Sequence, residues 1–278
     1  MMKTHRHTSS HTNMNVVRPP SILTAFGKPG LFITGTNTDI GKTTVTAALA
    51  GALRRLNIRV GVCKAIATGC SRRPERPVAE VLTDDDLISA DALLAARMAG
   101  LDTSDETLLK VISPIRFFAP VSPHVAARME QREPDWQRLA AAMTYWREHC
   151  DFLLVEGAGG WLVPLNSRLF TIADLATRLA LPVVVVTGAY LGTLNHTSLT
   201  IEAIRTRNLP VAGLVANRVP IERDISVQSS LDELPSLMHT PMLAVLPDDP
   251  QVSPTFVPAS FVDALEPFAR QWWSHTLR

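Results

Sequence analysis

The chain reads as an α/β protein, a single domain of three layers in which a mostly parallel central sheet carries helices on both faces. Three observations predict this. Apolar runs of strand length alternate with longer segments of helical pattern along most of the sequence. Those runs are continuous in Val, Leu and Ile, without strict alternation, as expected of strands covered on both faces. A glycine-rich loop ending in Gly-Lys-Thr also stands between the first run and the first helical pattern, which is the setting of a phosphate-binding loop in a P-loop NTPase-like domain.

In chain order, the first strand is LFITG from Leu31, and VGVCKAI from Val60 follows. FLLVEG from Phe152, VVVVTG from Val183 and VAGLVAN from Val211 come next, and MLAVLP from Met242 supplies a sixth. Helical periodicity predicts helices over 42–56, 85–99, 135–149, 171–180, 193–208 and 223–238. In an open parallel sheet, ligands gather at the carboxyl ends of the strands, so the polar residues that follow each strand are the candidates for function.

Composition narrows the functional classes. The chain has 278 residues, 46% of them apolar, enough for a full core. Its 27 basic and 26 acidic residues nearly cancel, so no field of one sign invites nucleic acid or an anionic membrane. The most apolar stretch, from Leu179 to Gly192, is too short and too interrupted to span a bilayer. A cytoplasmic protein acting on small molecules is expected. Cys63, Cys70 and Cys150 form no metal or redox spacing and suit reduced core thiols. Residues 1–30 contain no Asp or Glu and include His5, His7 and His11. We read 1–29 as a disordered extension and 30–278 as the single folded domain; a transit peptide or weak metal binding by the histidines are the other readings of that segment.

The loop GTNTDIGKTT (35–44) supplies Gly35 and Gly41 for close backbone approach to phosphate, Lys42 for the outer phosphates and Thr43 for Mg2+. Its two glycines are one residue further apart than in the usual loop. Glu156 ends a very apolar strand, where a carboxylate needs a cation. Opposite a P-loop threonine, such a residue holds the Mg2+ of a nucleotide, and Gly157 and Gly159 let backbone approach phosphate. The GAGG that follows lacks the third glycine of a dinucleotide fingerprint, since Leu162 stands there. Lys64 ends the second strand and points toward the same crevice as Lys42. In the acidic run that begins at Asp84, residues Asp84 to Asp86 read as a solvated helix start, whereas Asp91 sits among Ala and Leu and reads either as a second metal carboxylate or as an ordinary helix-surface aspartate. Asn217 follows an apolar strand, where an amide can read a base edge. Pro220 stands where a GTPase would place its guanine-binding aspartate, which points to adenine. The LGTLNHT turn reads as a helix start with Thr193 as its cap. No nucleophilic Ser or Cys with a base partner is apparent.

Together these motifs resemble the dethiobiotin synthetase family, the ATP-dependent carboxylases of biotin synthesis. The resemblance spans about residues 31–250 and rests on GTNTDIGKTT, KAIATG, SPH (Ser122 to His124), VEGAGGWLVPL, AYLGTLNHTSLT and LVANRV in that order. Two positions depart from the family pattern: Ala65 replaces a proline and Arg218 an aspartate. The resemblance implies a cyclo-ligase that converts 7,8-diaminononanoate and CO2, with ATP and Mg2+, to dethiobiotin, ADP and phosphate through a carbamate and a carbamic-phosphoric anhydride. It implies catalytic roles for Lys64, Lys42 and Thr38, and metal ligation by Thr43, Asp91 and Glu156. Nucleotide contacts are implied at Asp39, Ile40, Gly41, Lys42, Thr43, Thr44, Asp91, Glu156, Gly157, Ala158, Gly159, Asn217, Arg218, Pro247, Asp248 and Asp249. Thr68 is implied to meet the diamine. The turn Gly192, Thr193, Leu194 and Asn195 is implied to capture the substrate carboxylate for a partner subunit, which makes a homodimer part of the site. The rival readings are two. An amidotransferase-type ligase needs a further glutamine-hydrolysing domain, which the roughly 30 residues after Pro247 cannot hold. A partition-type switch ATPase carries a lysine near the start of its loop, where this chain has Thr36 and Asn37.

Overall fold

The structure is a computed structural model that describes residues 22–75 and 82–276. Its strands and helices, in chain order, are β1 (Gly30–Gly35), α1 (Lys42–Arg55), β2 (Val60–Lys64), β3 (Ile66–Ala67), β4 (Ser71–Arg72), β5 (Leu87–Ile88), α2 (Ala90–Ala99), α3 (Glu106–Ile112), β6 (Ile115–Arg116), α4 (Pro123–Met129), α5 (Trp136–His149), β7 (Phe152–Glu156), α6 (Ile172–Leu179), β8 (Val183–Thr187), α7 (Thr193–Arg205), β9 (Val211–Val219), α8 (Ile225–Met238), β10 (Met242–Pro247) and α9 (Ala259–Thr276). The six strands expected from the sequence form one parallel sheet in the order β10-β9-β8-β1-β7-β2. Short pairs β3-β6 and β4-β5 lie outside it.

Every residue of β1, β2, β7 and β8 is buried. Since successive side chains of a strand point to opposite faces, both faces of the sheet are covered, and the continuous Val/Leu/Ile runs are explained. Helix α1 packs against α2 and α9, while α7 packs against α8 and α3 against α5. Because the strands are parallel, all their carboxyl ends lie along one edge. Register then sets which end residues meet: Lys64 pairs with Glu156 across β2 and β7.

Several elements differ from the sequence reading. The helix expected over 85–99 begins only at Ala90, because Ser89 caps it with Oγ accepting from Ala92 N. Residues 84–86 form a 3-10 turn closed by reciprocal bonds between Thr83 and Asp86. The acidic run is also not a solvated helix start. Asp84 is buried and accepts from the Arg116 backbone N at 2.5 Å and from Arg132, and Asp85 pairs with Arg138. Helices α3 and α4 are each of seven residues, too short to show a period. Helix α9 contains Pro267, which reads as a breaker in sequence. Its Trp273 meets Phe152 edge-on at 6.3 Å, so the tryptophan-bearing tail belongs to the core. Ordered packing also starts earlier than residue 30: Leu23 and Phe26 are buried, and Phe26 N donates to Leu179 O. The histidines of the extension lie outside the described residues. Among the described residues no helix is long and apolar enough to cross a membrane, and all three cysteines are buried and free.

Candidate active site

The site is built on the strand ends. After β1 the chain turns through Thr36 to Ile40, and Gly41 caps α1 in the left-handed region at φ 91°. No side chain caps this helix and no acidic residue lies in its first turn. Its free N-H groups and positive end therefore stay open to an anion. Lys42 opens the helix, is 6% exposed, and donates from Nζ to Asn37 O at 2.9 Å.

Beside this loop, the ends of β2 and β7 bring a second lysine onto two carboxylates. Lys64 Nζ lies 2.5 Å from Glu156 Oε1 and 2.9 Å from Asp91 Oδ2. Thr43 Oγ1 donates to the same Glu156 oxygen at 2.8 Å. Glu156 is 2% exposed, so the cation that sequence reasoning required for it is Lys64. Asp91 falls in the first turn of α2, where a carboxylate complements the dipole. Burial works against the Lys64 charge, but Glu156 and Asp91 outweigh it and hold the ammonium firmly protonated. Burial likewise opposes the Asp91 charge, and Lys64 overcomes it, drawing that carboxyl below its usual range.

Lys42 behaves differently. Burial, with the Lys64 charge as second cause, pushes its ammonium down to about 8. A triphosphate against Lys42 favours the charged form and raises that value again. Binding of ATP above about pH 8 should therefore take up a proton, and affinity should fall as pH rises through that range. Calorimetry at about pH 9 in two buffers of different ionisation enthalpy reads this as uptake approaching one proton, absent in Lys42→Met.

Thr43, Asp91 and Glu156 converge as a hydroxyl and two carboxylates. Among the described residues no cluster of three or more His, Cys, Asp or Glu is present. A donor set of few, hard oxygens suits Mg2+, which keeps waters and completes its shell with phosphate. That Lys64 bridges both carboxylates shows the spot to favour positive charge, so these residues fit the ion.

These groups line one cleft of about 460 Å³, shared by Thr38, Asp39, Gly41, Lys42, Thr43, Thr44, Lys64, Thr68, Asp91, Glu156, Ala158 and Arg218. A β-carbon added at Gly159, which holds φ 65°, would stand 3.6 Å from Thr38 Oγ1, so the GAGG turn lies beside the loop. Ile40, Gly157, Asn217 and Pro247 to Asp249 do not line the cleft. Asn217 is 2% exposed and donates from Nδ2 to Ile40 O at 2.9 Å, bracing the loop from behind. Asp248 N donates to Val219 O, placing the 247–249 segment beside the end of β9. Arg218 holds φ 53°, uncommon for a residue with a side chain, and faces the cleft. Leu94, Val252, Ser253 and Pro254 also line the cleft, and sequence reasoning misses them. Leu94 lies one helical turn beyond Asp91, a usable signal; the 252–254 loop carries none. Gly192 to Asn195 lie at the start of α7, outside the cleft. Gly192, at φ 100°, is the cap there, in place of Thr193, whose hydroxyl turns inward to Gly188 O at 2.9 Å.

Residues 29–255 match the family model described as an AAA domain. The chain is 37% identical over 227 residues to the ATP-dependent dethiobiotin synthetase BioD of Thermodesulfovibrio yellowstonii, covering 79% of this chain and 89% of that one. It is 41% identical over 224 residues to BioD of Anaeromyxobacter dehalogenans, covering 81% and 92%. The corresponding values for BioD 1 of Escherichia coli K12 are 35% over 223 residues, covering 78% and 92%. These relatives do not favour the partition-type switch ATPase. With the P-loop, the paired lysines and the strand-end carboxylate all in place on a parallel sheet, the chain belongs to the dethiobiotin synthetase family of P-loop proteins.

Proposed function

We propose that this protein is an ATP- and Mg2+-dependent dethiobiotin synthetase, joining 7,8-diaminononanoate and CO2 into a cyclic urea in the cytoplasm. The observation that carries the reading is the meeting of Lys42, Lys64, Thr43, Asp91 and Glu156 in one cleft. One amine of the substrate attacks CO2 and loses a proton, leaving a carbamate. The carbamate oxygen attacks the γ-phosphorus of ATP and the bond to ADP breaks. The second amine then attacks the carbamoyl carbon, the C-O bond to phosphate breaks, and the nitrogen gives its proton to the departing phosphate or to water as the ring closes.

The carbamate and the triphosphate are both anions, and bringing them together is the main barrier to be lowered. Lys42 and the open N-H groups of α1 hold the phosphates, and Lys64 offsets charge where carbamate and phosphoryl group meet. Thr38 and Thr68, both on the cleft wall, orient the diamine end. Thr43, Asp91 and Glu156 would hold Mg2+, which supplies charge neutralisation to the phosphoryl oxygens. Arg218 and the 247–249 segment flank the base, while Asn217 holds the loop in place through the Ile40 carbonyl. The carboxylate at the far end of the substrate is taken by the Gly192 to Asn195 turn of a second subunit, which makes the working unit a homodimer. Neither nucleic acid nor a membrane takes part.

The test is purified protein with ATP, Mg2+, the diamine and bicarbonate, with the cyclic urea read by mass spectrometry. Product that depends on all four supports the proposal. ATP turnover that is unchanged when diamine and bicarbonate are both left out would overturn it.

A further inference from the structure

The hydroxyls of three threonines at the end of β8 and the start of α7 have no part in the chemistry above, yet all three residues are completely buried. Thr187, Thr193 and Thr197 are each 0% exposed. A hydroxyl in an apolar interior costs stability unless it is bonded. Here each one is. Thr187 Oγ1 lies 2.9 Å from Thr193 Oγ1 and 2.8 Å from Thr197 Oγ1, and Thr193 Oγ1 donates to Gly188 O at 2.9 Å. Donation from Thr197 to Thr187, from Thr187 to Thr193 and from Thr193 to the Gly188 carbonyl uses each hydroxyl once along the shortest contacts, with the Gly188 carbonyl also 3.5 Å from Thr187 Oγ1. A chain with one direction polarises along its length and holds more firmly than separate bonds.

What the hydroxyls hold is a helix end whose other ties are the packing of Tyr190 and Leu194 against the core and a Tyr190–His196 contact at the surface. Helix α7 has no side-chain cap, and its capping residue is Gly192, where an added β-carbon would meet nothing within 4 Å. Leu191, just before, is 88% exposed. The turn has two backbone bonds, Thr193 N to Tyr190 O and His196 N to Gly192 O. The N-H groups of Leu194 and Asn195 are left without an intrahelical acceptor, as at any helix start. An exposed glycine turn of this kind samples other conformations unless it is tied down. The threonines tie it to β8, a fully buried strand in the middle of the sheet, paired with β1 on one side and β9 on the other.

We propose that Thr187, Thr193 and Thr197 form a buried hydroxyl relay that positions the Leu194 and Asn195 N-H groups for the substrate carboxylate. Thr187 and Thr197 are positioning residues: they touch neither substrate nor nucleotide and act through the turn. This inference rests on the functional reading above, in which that turn serves the cleft of the second subunit.

The test uses the full-length dimer and two substrates, 7,8-diaminononanoate and the same vicinal diamine without its carboxylate. In Thr187→Val, KM for diaminononanoate should rise about tenfold, the scale of one misaligned charge-assisted hydrogen bond, while kcat and KM for ATP stay within about twofold. For the carboxylate-free diamine, KM should be the same in variant and wild type. Thr187→Ser retains the hydroxyl and should restore the wild-type KM. Thr197→Val removes only the outer link and should give a smaller rise of the same kind, which keeps the test available if Thr187→Val folds poorly. A rise that is equal for both diamines, or no rise in either valine variant, overturns the relay. If the wild-type protein forms no cyclic urea, the functional reading fails and takes the relay with it.

Discussion

Lys64→Ala is expected to lower cyclic-urea formation by about a thousandfold, the scale of removing a preorganised charge from a developing anion. Its Nζ is the group nearest both Glu156 and Asp91, at 2.5 and 2.9 Å. In the variant, Glu156 stays buried with only the Thr43 hydroxyl to satisfy it. Removing one partner of a buried pair costs about 3 kcal/mol or more, so the melting temperature should fall as well. The two effects separate by experiment. Single-turnover measurements with labelled bicarbonate, made well below the melting transition, read chemistry alone. Adding Mg2+ and ATP should recover much of the lost thermal stability, because a divalent ion gives Glu156 a new counter-charge, yet should recover none of the rate. A Lys64→Ala protein with a rate within tenfold of wild type would remove Lys64 from the reacting centre.

Gly41→Ala should be almost as severe, acting on binding. At φ 91° an alanine is strained by about 1–2 kcal/mol. Its β-carbon would also stand 1.9 Å from Asn217 Nδ2, far inside van der Waals separation. One of the two segments has to move, and either movement breaks the bond from Asn217 to the Ile40 carbonyl. The loop that presents N-H groups to the phosphates then loses its brace from behind. We expect Mg-ATP affinity to fall by about a hundredfold or more, equivalent to giving up several hydrogen bonds to the anion at once. Equilibrium titration of the variant gives this directly. An affinity within a few-fold of wild type would show that the loop does not need this backbone to hold phosphate.

The fold is legible in the sequence because burial on both faces leaves its mark on a strand. VVVVTG has no other good interpretation between a proline and a glycine-rich turn, and the other sheet strands are nearly as plain. The order of the strands across the sheet is not legible. Local sequence carries no signal for it, so the contact between Lys64 and Glu156, residues far apart in the chain, appears only when β2 and β7 are seen in register. Helix α9 is hidden by Pro267, whose cost is met by packing against the core, a tertiary gain that propensity cannot foresee. Asp84 and Asp85 look solvated in sequence because the arginines that neutralise them lie on distant later segments, at Arg116, Arg132 and Arg138. Asn217 reads as facing a base; its position behind the loop depends on the distance between two strand ends, which no motif specifies. The candidate catalytic residues themselves are visible because they stand at strand ends, where topology leaves polar groups only one edge to share.

The placement of β1 has a consequence for how the protein forms. Its hydrogen-bonded neighbours pair Gly30 with Leu153 and Phe32 with Val183. The strand that carries the nucleotide loop is thus flanked by chain from much later in the sequence, and closing such long loops is slow. Early folding intermediates built from the first half alone have no neighbour for it on either side. Ligand can therefore stabilise this molecule only once assembly is nearly complete, and added ATP should slow unfolding without speeding refolding.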